Sequence, residues 1–118
     1  METLTPFIKH LNQAAVLSLK DQVDYLPGQI VSKTLAQNEA LSLTLFAFDK
    51  GEEISSHVSD GDAMVTVLDG TGQVTIDGTP YTLQAGETIV MPATEPHAVF
   101  APERFKMFLI VVFPKRGA

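Results

Sequence analysis

The chain contains no cysteine. Disulfide staples, thiolate zinc sites, iron–sulfur clusters and cysteine nucleophiles are excluded with it. Tryptophan is missing as well, and basic residues are scarce, 8 against 14 acidic ones for a formal net charge of −6. A protein that tracks phosphates needs a basic face, so nucleic acid is not an expected partner. The same balance disfavours an anionic membrane surface. No apolar run approaches the roughly 18 residues of a membrane-crossing helix. The longest, Phe108 to Phe113, has the length and β-branched content of a buried strand. The opening residues Met1 to Pro6 show no basic region followed by an apolar stretch, so no signal peptide is expected and a cytoplasmic location is. The 118 residues suit one domain, which needs no covalent staple to close its core.

What is present is β-patterned. Helical periodicity is weak, with Phe7 to Val16 the best candidate for a short helical turn. Ile30 to Leu35 reads as a strand, and Leu41-Ser42-Leu43-Thr44-Leu45 alternates with period two before Phe46-Ala47-Phe48 continues apolar on both faces. Asp49-Lys50-Gly51 is a turn signal. Met64 to Leu68 predicts a short strand that Asp69-Gly70-Thr71-Gly72 turns back into Gln73 to Ile76. Asp77-Gly78 predicts a tight hairpin into Tyr81 to Leu83, because that turn needs positive φ. After Gln84-Ala85-Gly86 come strands at Thr88 to Met91, His97 to Phe100 and Phe105 to Phe113, with Pro92 to Pro96 as a loop. Short strands at close spacing, separated by glycine- and proline-marked turns, predict an all-β antiparallel sandwich or barrel. The expected organisation is a single domain over 1–118, with an N-terminal arm to about residue 27 and a barrel over about 28–114.

Of the three histidines, His10 has no chemical context and is expected at the surface. His57 and His97 each follow a glycine-marked β segment. Gly51 is followed by five residues and then His57, and Gly70 lies further on; Gly86 is followed by five residues and then Pro92, with His97 beyond. This spacing resembles the two motifs of the cupins, small jelly-roll β-barrels, G-x5-H-x-H-x3,4-E-x6-G and G-x5-P-x-G-x2-H-x3-N. The resemblance implies a jelly-roll barrel of two antiparallel sheets, a site in its lumen, and a divalent metal such as iron, manganese, nickel or zinc held by three histidines and a glutamate. The departures are as informative. Ser59 stands at the second histidine, Ala63 at the glutamate, Thr94 at the second-motif glycine and Ala101 at the closing asparagine. Of the four metal ligands, His57 and His97 remain.

Strand parity predicts what surrounds the pair, since successive residues face opposite sides. Ser59 shares the face of His57, Val99 that of His97, and Ala63, Val65 and Val67 share one face of the next strand. Met91 lies just before the loop that carries His97. A ligand pocket of Ser59, Asp62, Ala63, Val65, Met91 and Val99 around the two imidazoles is therefore expected. Asp60 or Asp62 reaches it only if a bulge distorts the strand start, because Asp62 has the opposite parity to Ala63. Glu52, Glu53 and Asp60 to Asp62 otherwise read as a solvated loop face and not as a carboxylate dyad. Lys106 interrupts an apolar strand, either to reach a ligand or as an edge or snorkelling residue. The last strand shows little alternation, so both faces need cover; the resemblance implies a homodimer interface, and packing against the N-terminal segment is the alternative.

Three functions stay open at this level. One is a small-molecule site working through a metal on His57 and His97, with water or a chelating substrate completing the shell. The second is a metal-free small-molecule sensor or carrier. The third is a metal-free acid–base isomerase or lyase, for which the pKa of histidine is suited.

Overall fold

The computed structural model describes residues 6–115. Among these, eight strands form: β1 (Ile30–Gln37), β2 (Leu41–Phe48), β3 (Glu53–His57), β4 (Asp62–Ile76), β5 (Thr79–Gln84), β6 (Thr88–Met91), β7 (His97–Phe100) and β8 (Phe105–Val112). All of their pairings are antiparallel. The predicted hairpin is present: Asp77 and Gly78 both take positive φ, 47° and 83°, and Ile76 pairs with Thr79 across them.

The expected turn at 69–72 does not form. β4 runs straight through it as one 15-residue strand. Its first part, Asp62 to Gly70, pairs with β8 and, over Ala63 to Thr66, with β6. Its second part, Thr71 to Ile76, pairs with β5 and, over Gln73 to Ile76, with β7. The glycines bend the strand instead of reversing it. The ladder slips by one residue between Val67 and Asp69, and Gly70 follows in the left-handed region at φ 73°. A bulge plus a left-handed glycine kinks a strand and increases its twist. β4 therefore belongs to two sheets, β1-β2-β8-β4-β6 and β5-β4-β7-β3, which curl over one another into a half-barrel.

The core lies between the two curled layers. Phe48 and Phe105 are fully buried and stack with ring centroids 4.6 Å apart. Gly72 allows this, since a Cβ there would stand 2.6 Å from the Phe105 ring. Val65, Val67, Val74 and Met107 complete the buried set. The alternate residues of β2 and β8 point the other way. Leu45, Ala47 and Phe108 pack with Leu35, Val23, Leu11, Leu19 and Tyr25, so the N-terminal arm covers part of the outer face.

The arm does so without the predicted helical turn over 7–16. That stretch is bends and turns, with His10 and Ala14 at positive φ, and the helix that does form is a single 3-10 turn at Leu19–Gln22. Edge pairing outcompetes a marginal helix here: the Lys9 amide donates to the Leu35 carbonyl of β1 at 2.7 Å. The arm is pinned at two further points. The Tyr25 hydroxyl donates to Asp69 Oδ2 at 2.6 Å, and Lys106 Nζ donates to the Lys20 carbonyl at 2.6 Å. Burial, and then the Asp69 carboxylate, push the Tyr25 phenol well above its ordinary pKa. Lys106 neither reaches a ligand nor sits at an edge: it is buried beneath the arm, 4.9 Å above the Tyr25 ring. At the base of the arm Asp49 accepts from the Gly28 amide and from Arg104 Nε, and these bonds hold its carboxyl at about 2.

Candidate functional site

The curl of β4 brings the two histidine-bearing strands side by side. β3 and β7 pair antiparallel, and His57 lies opposite His97 in that ladder. The rings meet edge to face with centroids 4.3 Å apart. They are placed by the same device. His57 Nδ1 lies 3.0 Å from the Ser55 carbonyl, and His97 Nδ1 lies 3.2 Å from the Glu95 carbonyl. A carbonyl only accepts, so each Nδ1 carries the proton and donates it two residues back. Each Nε2 is thereby left with its lone pair. His97 is buried, yet among the described residues no buried side-chain nitrogen or oxygen lacks a partner. Its Nε2 therefore keeps accessible surface, and both rings line one cavity.

That cavity is half-open and encloses about 580 Å³. Its size is within the range of small-molecule sites. Ser59, Ala63, Met91 and Val99 line it together with the two histidines, Ala63 and Val99 on the strand faces that parity gave them. Two expected pocket residues do not. Asp62 turns outward and accepts from the Ala93 amide at 2.7 Å, which ties the start of β4 to the 92–96 loop. Val65 faces inward but is fully buried among core side chains and does not border the cavity. Of the two aspartates able to reach the pocket, Asp60 does so. Strand pairing stops at His57, and Val58, Ser59 and Asp60 then run as a loop along the cavity wall. Parity has no force outside a strand, which is why the alternation argument failed at this point.

The sequence reading missed the opposite wall. Phe46 of β2 and Met107, Leu109 and Val111 of β8 line it there with apolar side chains. The signal was there in the odd positions of β8, 105, 107, 109 and 111, but an apolar run on both faces hid it.

A resident metal does not fit this donor set. Among the described residues no three His, Asp or Glu side chains converge as a ligand group. The Ser59 hydroxyl is engaged by the Gly61 amide at 3.2 Å, and Ala63 offers a methyl where the glutamate would stand. Two imidazoles fall short of the three or four protein ligands that retained zinc or iron sites use.

Burial lowers the pKa of His97, and the nearby His57 ring lowers it further against the opposing pull of the Glu95 carbonyl. The folded protein thus binds fewer protons than the unfolded chain once pH drops below about 6.5, the ordinary histidine value. Stability is expected to be undiminished by this group above that pH and to decline as pH falls from there through the folded pKa. Urea denaturation between pH 5 and 7.5 measures it. A His97→Asn protein should show a flatter pH dependence; an unchanged slope would assign the effect to another group.

A curled antiparallel jelly roll with two imidazoles in its lumen defines a barrel of the double-sheet class. The chain belongs to the cupin family: the cupin domain model matches residues 44–113. It is 45% identical to the conserved SPY1581 protein of unknown function from Streptococcus pyogenes, covering 96% of this chain and 99% of that one, with a TM-score of 0.92. A cupin superfamily protein, DSY2733 from Desulfitobacterium hafniense, is 30% identical over 91% of this chain and 98% of its own, with a TM-score of 0.87. A Cupin 2 conserved barrel domain protein from Leptotrichia buccalis is 46% identical over 81% of this chain and 47% of its own, with a TM-score of 0.80. No curated protein matches the chain.

Proposed function

We propose that this cupin binds a small organic molecule in its lumen, without a resident metal, and that His57 and His97 anchor it by hydrogen bonds. The observation that carries this reading is the shared tautomer. Both Nδ1–H groups are spent on backbone carbonyls, so two oriented acceptors border an apolar-walled cavity. An acceptor in such surroundings gains most from a partner that replaces its water. The experiment is a thermal-shift screen of small organic compounds on chelator-treated protein. Stabilising compounds are expected, since a ligand that binds only the folded state raises the melting temperature. Their effect should disappear in His57→Ala and survive in His10→Ala, which lies outside the cavity. Compounds that stabilise all three proteins alike would refute the assignment.

We also propose that the protein is a homodimer. The arm covers Lys106 and Phe108 on the outer face of β8, and among the described residues Val112 at the far end of that strand is exposed. Leu43, Ile110, Met64 and Val90 form one row across β2, β8, β4 and β6, with Met64, Val90 and the neighbouring Val112 exposed. An apolar row across four strands is the kind of surface a second copy covers. Light scattering should give twice the mass of one chain, and Val90→Asp should halve it. A monomeric parent protein would overturn the dimer.

A further inference from the structure

The charges around the cavity restrict what it takes. Among the described residues Asp60 is the one charged side chain on the wall. The wall segment 58–61 and the 92–96 loop bonded to it carry Asp60 and Glu95, with no lysine or arginine between them. Two cations of the fold are committed elsewhere: Arg104 to Asp49, and Lys106 to the Lys20 carbonyl on the outer face. A carboxylate or phosphate entering this lumen would give up its hydration against apolar walls, beside an aspartate, with no lysine or arginine among the described residues of the wall to compensate.

The polar groups that are present ask for the opposite partner. The two Nδ1–H donors are already bonded to carbonyls, so in the neutral rings that line the lumen the remaining nitrogen, Nε2, accepts and does not donate. The Ser59 hydroxyl accepts from the Gly61 amide and keeps its own O–H, which a ligand hydroxyl can accept. The walls opposite are Phe46, Met107 and Leu109. Building on the lumen-binding reading above, we infer that the site selects an uncharged molecule with a hydroxyl donor on an apolar frame, an alcohol or a phenol, and rejects the matching carboxylic acid. Sites built around a ligand hydroxyl discriminate strongly against analogues that lack it, because the buried polar group is then left unpaired. Acid repulsion and missing counter-charge supply the rejection.

Titration calorimetry on chelator-treated protein at pH 7.5 tests this with matched probes: phenol, anisole and benzoate, then cyclohexanol and cyclohexanecarboxylate. Phenol should bind at least tenfold more tightly than anisole or benzoate, and cyclohexanol likewise against its acid. His57→Ala should weaken phenol at least tenfold; His57 is exposed, so this variant is expected to fold. Benzoate binding as tightly as phenol, but lost in His57→Ala, overturns the hydroxyl assignment while leaving lumen binding in place. Anisole equal to phenol does the same. Probe binding that ignores His57→Ala, or no binding by any probe, overturns both.

Discussion

Ser59→His combined with Ala63→Glu is expected to turn this lumen into a metal site. Both positions already border the cavity that holds His57 and His97, and they are the two places where the cupin ligand pattern is broken. The double variant would offer three imidazoles and one carboxylate, a set that suits nickel, zinc or iron. An outer-shell partner of a metal is worth roughly 10–100-fold in affinity, and two direct ligands should exceed that. The variant is therefore expected to bind nickel at least about a hundredfold more tightly than the parent, by the same bound. Without metal it should be less stable than the parent, because Ala63 is buried and a glutamate there has no cation. Added nickel should restore the loss, and calorimetry with thermal melts in nickel and in chelator reads both effects. If the parent binds nickel as tightly as the double variant, two imidazoles suffice and the metal-free reading is wrong. If neither binds, the four positions do not converge as the fold suggests.

Gly70→Ala should produce the largest loss of stability of any single methyl group added to this chain. The residue has φ 73°, and a Cβ there would run into the carbonyl oxygen of Arg104, a backbone atom that cannot rotate away. A left-handed conformation costs a non-glycine residue about 1–3 kcal/mol. Displacing the start of β8 adds to this, because Gly70 pairs with Phe105, whose ring stacks on Phe48. A total of about 3–5 kcal/mol is expected, which places the substitution among the few that are severe for a stated cause. For a domain of this size that lowers the melting temperature by roughly 15–25 °C. Gly78→Ala is the control. It has φ 83° with nothing near its missing Cβ, so it should bear the conformational cost alone. Melts of the two variants within a few degrees of each other would show that the close approach at Arg104 is not a constraint.

This contrast also shows where the sequence was readable. Asp77-Gly78 announced a hairpin because a two-residue turn is a local event, decided by the φ values those residues tolerate. Asp69-Gly70-Thr71-Gly72 carries an equally strong turn signal, and the chain does not turn. What decided that segment was not local. β8 lies alongside its first half, β5 and β7 flank its second, and Phe105 fills the space that Gly72 leaves open. The long-range ladder used the glycines to bend a strand around a core.

The same division runs through the site. His57, His97, Ser59, Ala63, Met91 and Val99 were legible from motif spacing and strand parity, and the structure lines one cavity with all six. Asp62 and Val65 were expected there and lie elsewhere, one capping a loop amide and the other inside the core. Lys106 was read from its own strand, whereas its partners sit on an arm more than eighty residues away, where |i−j| is 86. The strand and turn pattern by itself determined an all-β antiparallel sandwich or barrel, because side-chain period and turn chemistry act over a few residues; the cupin barrel and its incomplete ligand set came from the resemblance of the two motifs. Tertiary structure alone decided that the two imidazoles meet across one ladder, which aspartate borders the cavity, and which part of β8 the arm covers, because each depends on groups that only the folded sheets bring together.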